Sequence, residues 1–188
     1  FLTSLFNHDD YQLIQHLRPT SIKIPSPENR NKELLKFVSK KFKNIFLSTG
    51  AAKINEIKKS LKYLHNNNVT VMHCVSSYPC IDENADLSRI LRLKEISKNI
   101  KLSDHTSDIL SSTFSLNLGV TLIEKHFTID NNLPGRDNKF AILPNQFLEL
   151  KKNITRFHKM FKKKQEVFIS QEKEIRNIYT GRWSKSKI

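Results

Sequence analysis

Two histidines stand out by the company they keep: His105 in Leu-Ser-Asp-His-Thr and His126 in Glu-Lys-His-Phe-Thr, 21 residues apart. Each closes an apolar run that reads as a strand. Side chains at the ends of two successive parallel strands reach a common point, and two neutral imidazoles suit Mn²⁺, Fe²⁺, Co²⁺ or Zn²⁺ with coordination positions left open for water and substrate. Taken singly, each histidine also fits a satisfied structural role. Asp104 and Glu124 fit two readings: carboxylates that orient the rings, or partners to Lys101 and Lys125.

A second group is anionophilic. Lys23 ends a strand and is followed by Pro25, Ser26, Pro27 and Glu28. A cation fixed among hydroxyls suits a phosphate or carboxylate, although a lysine there also fits a snorkelling surface residue. Ser48, Thr49 and Gly50 lie where a strand gives way to a helix. They can cap that helix, or offer hydroxyl and N–H donors to a phosphate, or do both.

The elements that must position these residues repeat. Strand-like runs recur at Phe1–Leu5, Ser21–Ile24, Asn44–Leu47, Val69–Met72, Ile100–Leu102 and Val120–Ile123, each followed by polar residues and then by helical periodicity. Ile54, Ile57, Leu61 and Leu64 make one helical stripe, and Phe147, Leu150, Ile154, Phe157 and Phe161 another, the latter with Pro144 near its first turn. Gly119 is placed to end a helix in the left-handed conformation just before Val120–Ile123. This is a β/α array with six units visible. A closed (β/α)8 TIM barrel needs eight strands and about 250 residues, so the expectation is an incomplete barrel lacking two units, upstream of Phe1. The open doubly wound alternative is disfavoured, because Gly50, Gly119, Gly135 and Gly181 are the only glycines and form no GxGxxG fingerprint. Parallel barrels carry their chemistry at the C-terminal strand ends. That is where Thr3 and Ser4, Lys23 through Glu28, Ser48 and Thr49, His73 through Tyr78, Ser103 through His105 and Glu124 through His126 fall.

Composition narrows the partners. No apolar run approaches the roughly 18 residues needed to span a bilayer, and a cytoplasmic location with no membrane partner is the default expectation. Cys74 and Cys80 give no disulfide framework and read as reduced thiols. The net charge of +14 admits nucleic acid, anionic surfaces or anionic small molecules. The lysines lie largely between apolar residues at helical spacing, on solvated helix faces, and no ordered basic-aromatic module is present, so nucleic acid is not expected.

Six segments then occur in a familiar order: Lys-Ile-Pro-Ser-Pro-Glu (Lys23–Glu28), Leu-Ser-Thr-Gly (Leu47–Gly50), His-Cys-Val-Ser-Ser-Tyr-Pro (His73–Pro79), Leu-Ser-Asp-His-Thr (Leu102–Thr106), Glu-Lys-His-Phe-Thr (Glu124–Thr128) and Pro-Gly-Arg-Asp (Pro134–Asp137). Together they resemble the N-acetylneuraminate (sialic acid) synthase family, which includes legionaminic and pseudaminic acid synthases and spore-coat polysaccharide proteins. The resemblance covers roughly Phe1 to Leu150. It implies a transferase that condenses phosphoenolpyruvate with an N-acetylated amino sugar, such as N-acetylmannosamine, to give a nonulosonic acid and phosphate. By the resemblance, His105 and His126 hold the metal, Mn²⁺ with Mg²⁺ or Co²⁺ as substitutes. Lys23, Ser48, Ser76 and Ser103 match the phosphoenolpyruvate side, Tyr78 and Asp137 the sugar side, and Glu28 a carboxylate of the reaction centre, with Ser26 a further substrate-binding residue.

The resemblance also implies a homodimer and a C-terminal antifreeze-like domain, so residues 1–165 read as partial barrel and 166–188 as a linker, with Glu172–Trp183 at its start. The sequence departs from the family at Pro27, where glycine is usual, at Arg136, where proline is common, and at Ser76, which is asparagine in some members. Three other readings stand beside this one: an inactive fragment of such an enzyme, another metal-dependent barrel lyase, and a basic nucleic-acid-binding protein.

Overall fold

The computed structural model describes residues 1–162 and 168–183. Five strands, β1 (Ser21–Ile24), β2 (Asn44–Ser48), β3 (Asn68–His73), β4 (Ile100–Asp104) and β5 (Ile123–Lys125), form one sheet in the order β1-β2-β3-β4-β5. Every neighbouring pair is parallel, with Ser48 opposite Met72 and Asp104 opposite Lys125 in the register. Strands in sequence order joined by helices make a curled parallel α/β sheet, the arrangement of part of a barrel.

Alternation along each strand divides the sheet into two chemistries. Ile22, Ile24, Ile45 and Leu47 are fully buried against Leu34, Leu35 and Val38 of α2 (Lys32–Lys41). Val71, Ile100 and Leu102 pack with Ile57 of α3 (Ile54–Tyr63) and with Ile90 and Leu93 of α4 (Arg89–Lys94). The alternate residues on the opposite face include Lys23, Ser48, Ser103 and Glu124. Apolar residues therefore hold the helices on, and polar ones are left for the interior of the array.

The first expected strand, Phe1–Leu5, is a single bridge instead. Ser4 pairs in parallel with Lys23, Leu5 N donates to the Lys23 carbonyl at 3.0 Å and Lys23 N to the Thr3 carbonyl at 2.9 Å. The chain then turns away, because Asn7 caps α1 (His8–Ile14) and Asp10 returns a bond to the Asn7 N–H. Gly119 does adopt the left-handed conformation, φ 75°, but the strand after it starts later than Val120. Val120 is buried in the core and β5 begins at Ile123. Among the described residues, five strands and this bridge thus stand where six strands were expected.

The α3 stripe is as expected, with Ile57 and Leu64 buried. The closing stripe is not: in α6 (Pro144–Phe161) Leu150 is buried, whereas Phe147 and Phe161 are 51% and 64% exposed. The chain divides into two compact units, Phe1–Thr155 and Arg156–Ile188. In the second, Phe157 stacks on Phe161, and α7 (Ser170–Tyr179) occupies part of the expected linker without a buried residue. The expected boundary at 165–166, and residues 184–188 of that linker, lie outside the described residues. Among the described residues no helix is long and apolar enough to cross a membrane.

Candidate active site

The strand ends of the first unit enclose a cavity of about 440 Å³. Lys23 and Ser26 reach it from the end of β1, Ser48 from β2, Tyr78 from the loop after β3, Ser103 and His105 from β4, His126 from the end of β5 and Asp137 from the loop beyond. An adjoining space of about 360 Å³ shares Lys23, Ser103 and both histidines and adds Glu124. Eight of the ten residues expected at the site therefore meet, from segments spread over more than a hundred positions.

Two do not line either space. Glu28 sits in a 3₁₀ turn, Ser26–Glu28, and its carboxylate accepts from Asn31 Nδ2 at 2.8 Å. That bond is local, since Asn31 also caps α2 through Leu34 N, and a side chain three residues from a cap is readily held there. Ser76 is exposed above Gly50.

His105 is well placed as a neutral donor. His105 is 8% exposed and its Nδ1 lies 2.6 Å from the Val75 carbonyl. A carbonyl only accepts, so Nδ1 carries the hydrogen and Nε2 keeps its lone pair. Burial lowers the His105 pKa, partly opposed by the bond to Val75, and so favours the neutral ring. Ser103 Oγ stands 3.3 Å from Nε2. The His105 and His126 ring centroids are 5.6 Å apart. A ligating imidazole places its centroid roughly 3 Å from an ion, so this separation is one that two rings on one cation can have. Tyr78 packs at 4.3 Å from His105 and 5.8 Å from His126, and Asp137 Oδ2 is 3.7 Å from His126 Nδ1. Burial raises the Tyr78 pKa and keeps the phenol protonated. Among the described residues no group of three or more His, Cys, Asp or Glu is arranged to hold an ion. The donor set is thus two imidazoles with open positions, which fits a hexacoordinate divalent cation shared with substrate and water.

Facing them is a cation with a carboxylate already on it. Lys23 Nζ donates to both Glu124 oxygens, at 2.6 and 2.5 Å, from the first strand of the sheet to the last. The sequence pointed to Glu124 as a partner of Lys101 or Lys125, or as an orienting group for a histidine. Its partner is Lys23, 101 residues away, and nothing local in the sequence signals this. Lys101 instead reaches the Thr121 hydroxyl.

The turn after β2 is a close-fitting cradle rather than a cap. The capping residue of α3 is Lys53, whose N–H donates to Glu56 at 2.7 Å. Gly50 N donates to Ser26 Oγ at 3.1 Å, and Thr49 Oγ1 to the Met72 carbonyl at 2.9 Å. A β-carbon at Gly50 would lie 2.2 Å from Ser76 Oγ and 2.7 Å from Ser26 Oγ, so the two hydroxyls approach this backbone closely only because the residue is glycine. Ser48 Oγ is buried without a partner, a hydroxyl left over for a ligand. Cys74, a buried free thiol, contacts Ser26 Oγ at 3.0 Å. Two supports escaped the sequence reading: Asn29 donates to the Ser48 and Gly50 carbonyls at 3.1 Å, and Arg89 to those of Thr49 and Ala52 at 2.9 and 2.6 Å.

His73, expected at the rim, faces the helices. Its Nε2 lies 2.9 Å from the Ala85 carbonyl, and burial lowers its pKa.

Comparison with known proteins bears on this cavity. A family model described as the NeuB family matches residues 1–166. The N,N′-diacetyllegionaminic acid synthase of Campylobacter jejuni is 36% identical over 165 residues, which are 85% of this chain and 49% of that protein. The spore coat polysaccharide biosynthesis protein SpsE of Bacillus subtilis is 35% identical over 156 residues, 80% of this chain and 42% of that one. The crystal structure of N-acetylneuraminic acid synthetase from Leptospira borgpetersenii, solved with citrate, superposes with a TM-score of 0.83 at 27% identity, covering 94% of this chain and 64% of that one. The chain spans about half the length of the curated relatives it matches.

Proposed function

The chain belongs to the NeuB family, and we propose that it forms most of the catalytic barrel of a cytoplasmic nonulosonic acid synthase. The reaction joins phosphoenolpyruvate to an N-acetylated amino sugar and releases phosphate. One observation carries this reading: two imidazoles, one of them fixed as a neutral Nε2 donor, share a cavity with a lysine and a cluster of hydroxyls.

Lys23 takes the phosphate or carboxylate of phosphoenolpyruvate, releasing Glu124 to do so. Ser26, Ser48 and Ser103 supply hydroxyl donors around it, and Ser76 closes the cradle over Gly50. His105 and His126 would hold a divalent cation, Mn²⁺ with Mg²⁺ or Co²⁺ as substitutes. When bound, it supplies Lewis-acid polarisation of the sugar aldehyde. Tyr78 and Asp137 border the histidines and orient the sugar. Carbon 3 of phosphoenolpyruvate attacks the aldehyde carbon, water adds at carbon 2, and the C–O bond to phosphate breaks, leaving a 2-keto acid three carbons longer than the sugar. The attacking water gives up both its protons, one matching the proton that the new alkoxide takes and the other leaving with the phosphate as the ketone forms. Glu124, freed from Lys23 in the adjoining space, supplies a carboxylate for that exchange. Glu28 acts at the reaction centre by giving up its bond to Asn31.

The homodimer and the antifreeze-like domain belong to the same proposal. Its test supplies phosphoenolpyruvate, Mn²⁺ and N-acetylmannosamine or its diacetylated analogues to the 188-residue chain and to a version extended upstream by about 90 residues, on the order of two further barrel units. The extended version is expected to release phosphate in step with a keto acid of the summed mass, and the 188-residue chain to bind ligands without turnover. Keto-acid cleavage or synthesis without phosphate release would assign the cavity to another metal-dependent lyase. Equal turnover in both would make this chain a complete synthase.

A further inference from the structure

Behind the two histidines lies an ion pair that no step above uses. Asp104 and Lys125 are register partners on β4 and β5, and alternation turns both away from the cavity, toward α5 (Leu110–Ser115). Their side chains are 1% and 5% exposed, with Lys125 Nζ 3.0 Å from Asp104 Oδ2. Lys125 also donates to the Thr106 carbonyl at 2.5 Å and to the Thr106 hydroxyl at 3.0 Å. Thr106 donates to Asp104 Oδ1 through its N–H at 2.9 Å and its hydroxyl at 2.8 Å. Ser112 of α5 donates to Oδ2 at 2.5 Å.

A buried ion pair is a poor source of stability, since apolar residues of the same volume hold elements together as well or better. What it adds is direction, and its place gives that direction a use. The pair of Asp104 with Lys125 is the last in the β4–β5 register. His105 and His126 are the next residue on each strand, beyond the β4–β5 ladder, and their carbonyls accept from separate segments, Cys80 N at 2.8 Å and Ile142 N at 2.9 Å, rather than from each other's strand. Lys125 reaches across to the carbonyl of Thr106, so its grip falls on both sides of His105, while its own strand carries His126 one residue on.

We propose that Asp104, Lys125 and Thr106 form a positioning network that holds His105 and His126 at the separation required to share one divalent cation. The proposal rests on the reading of those histidines as metal ligands. Neither Asp104 nor Lys125 is a catalytic residue in this scheme; both act through the strand ends.

The test titrates Mn²⁺ into the full chain and follows the free-ion electron paramagnetic resonance signal, with far-UV circular dichroism to confirm folding. The double variant Asp104→Asn/Lys125→Met removes the tie without leaving an unpaired buried charge. Its Mn²⁺ affinity is expected to fall about 10- to 100-fold, as for other residues that orient metal ligands. Thr106→Val, nearly isosteric and retaining both charges, serves where the double variant does not fold, and is expected to weaken binding several-fold. Unchanged affinity in whichever folded variant is measured, with binding lost in His105→Ala, overturns the positioning role and leaves the metal reading intact. Mn²⁺ binding that is absent from the unaltered chain, or unaffected by His105→Ala and His126→Ala, overturns both.

Discussion

Two lysine–carboxylate pairs tie strands together in this molecule, and they differ in water. Asp104–Lys125 joins adjacent strands with both side chains at most 5% exposed. Lys23–Glu124 joins β1 to β5, with side chains 15% and 42% exposed. The contact distances are similar, 3.0 and 2.5 Å, so geometry does not separate them. Solvent does. A buried pair cannot exchange partners, because each charge would be left in a medium that does not solvate it. A pair open to a cavity gives up its Coulomb attraction to water or to an arriving anion at little net cost. One pair is therefore suited to holding geometry and the other to being displaced by a ligand.

The largest expected effect breaks the buried pair from one side. Lys125→Met leaves Asp104 charged and buried, and should cost about 3–5 kcal/mol of unfolding free energy in a urea titration. A loss below about 1 kcal/mol would mean that the two pairs do not differ in kind.

Next comes the open pair. Lys23→Ala is expected to change stability by no more than about 1 kcal/mol. Calorimetry should meanwhile show phosphoenolpyruvate affinity falling by roughly one to two decades, the worth of a charge-assisted contact to phosphate. Sugar affinity should move less. The reverse pattern would reassign Lys23 to the sugar.

The smallest effect concerns His73, on the helix-facing side with Asp104 and Lys125. Its pKa is lowered in the folded state, chiefly by burial. As pH falls below the unfolded value of about 6.5, the unfolded chain takes up a proton that the folded chain refuses. Stability is thus full above that value and declines below it, until the folded-state pKa is passed. His73→Leu should make this decline shallower, because His105 shares its direction of shift. An unchanged slope in unfolding measured from pH 7.5 to 5 would place His73 in contact with water.

Much of this arrangement can be read before any coordinate. Apolar residues two apart, as in Ile22 and Ile24 or Ile45 and Leu47, mark the face that meets the helices, and so place Lys23 and Ser48 on the other. The same parity carries Ser103 and His105 to the cavity. It was less readable at His73 and Asp104, polar residues on the apolar-facing side, because their burial depends on partners from elsewhere: the Ala85 carbonyl for one, Lys125 and Ser112 for the other. Glu28 is hard to read for the opposite reason. Its motif position indicated the reaction centre, while a side chain three residues on offered it a hydrogen bond.

What the sequence by itself determined is the succession of strand and helix, the parallel sense of the sheet and the types of residue at each strand end, since these depend on periodicity and on neighbours a few positions apart. Which lysine meets which carboxylate was decided only by the tertiary structure. Lys23 reaches Glu124 across 101 residues, and Lys125 faces Asp104 because the backbone ladder sets them in one register. Strand register and curvature arise from all the helices packing against the sheet at once, and no local run of residues contains that sum.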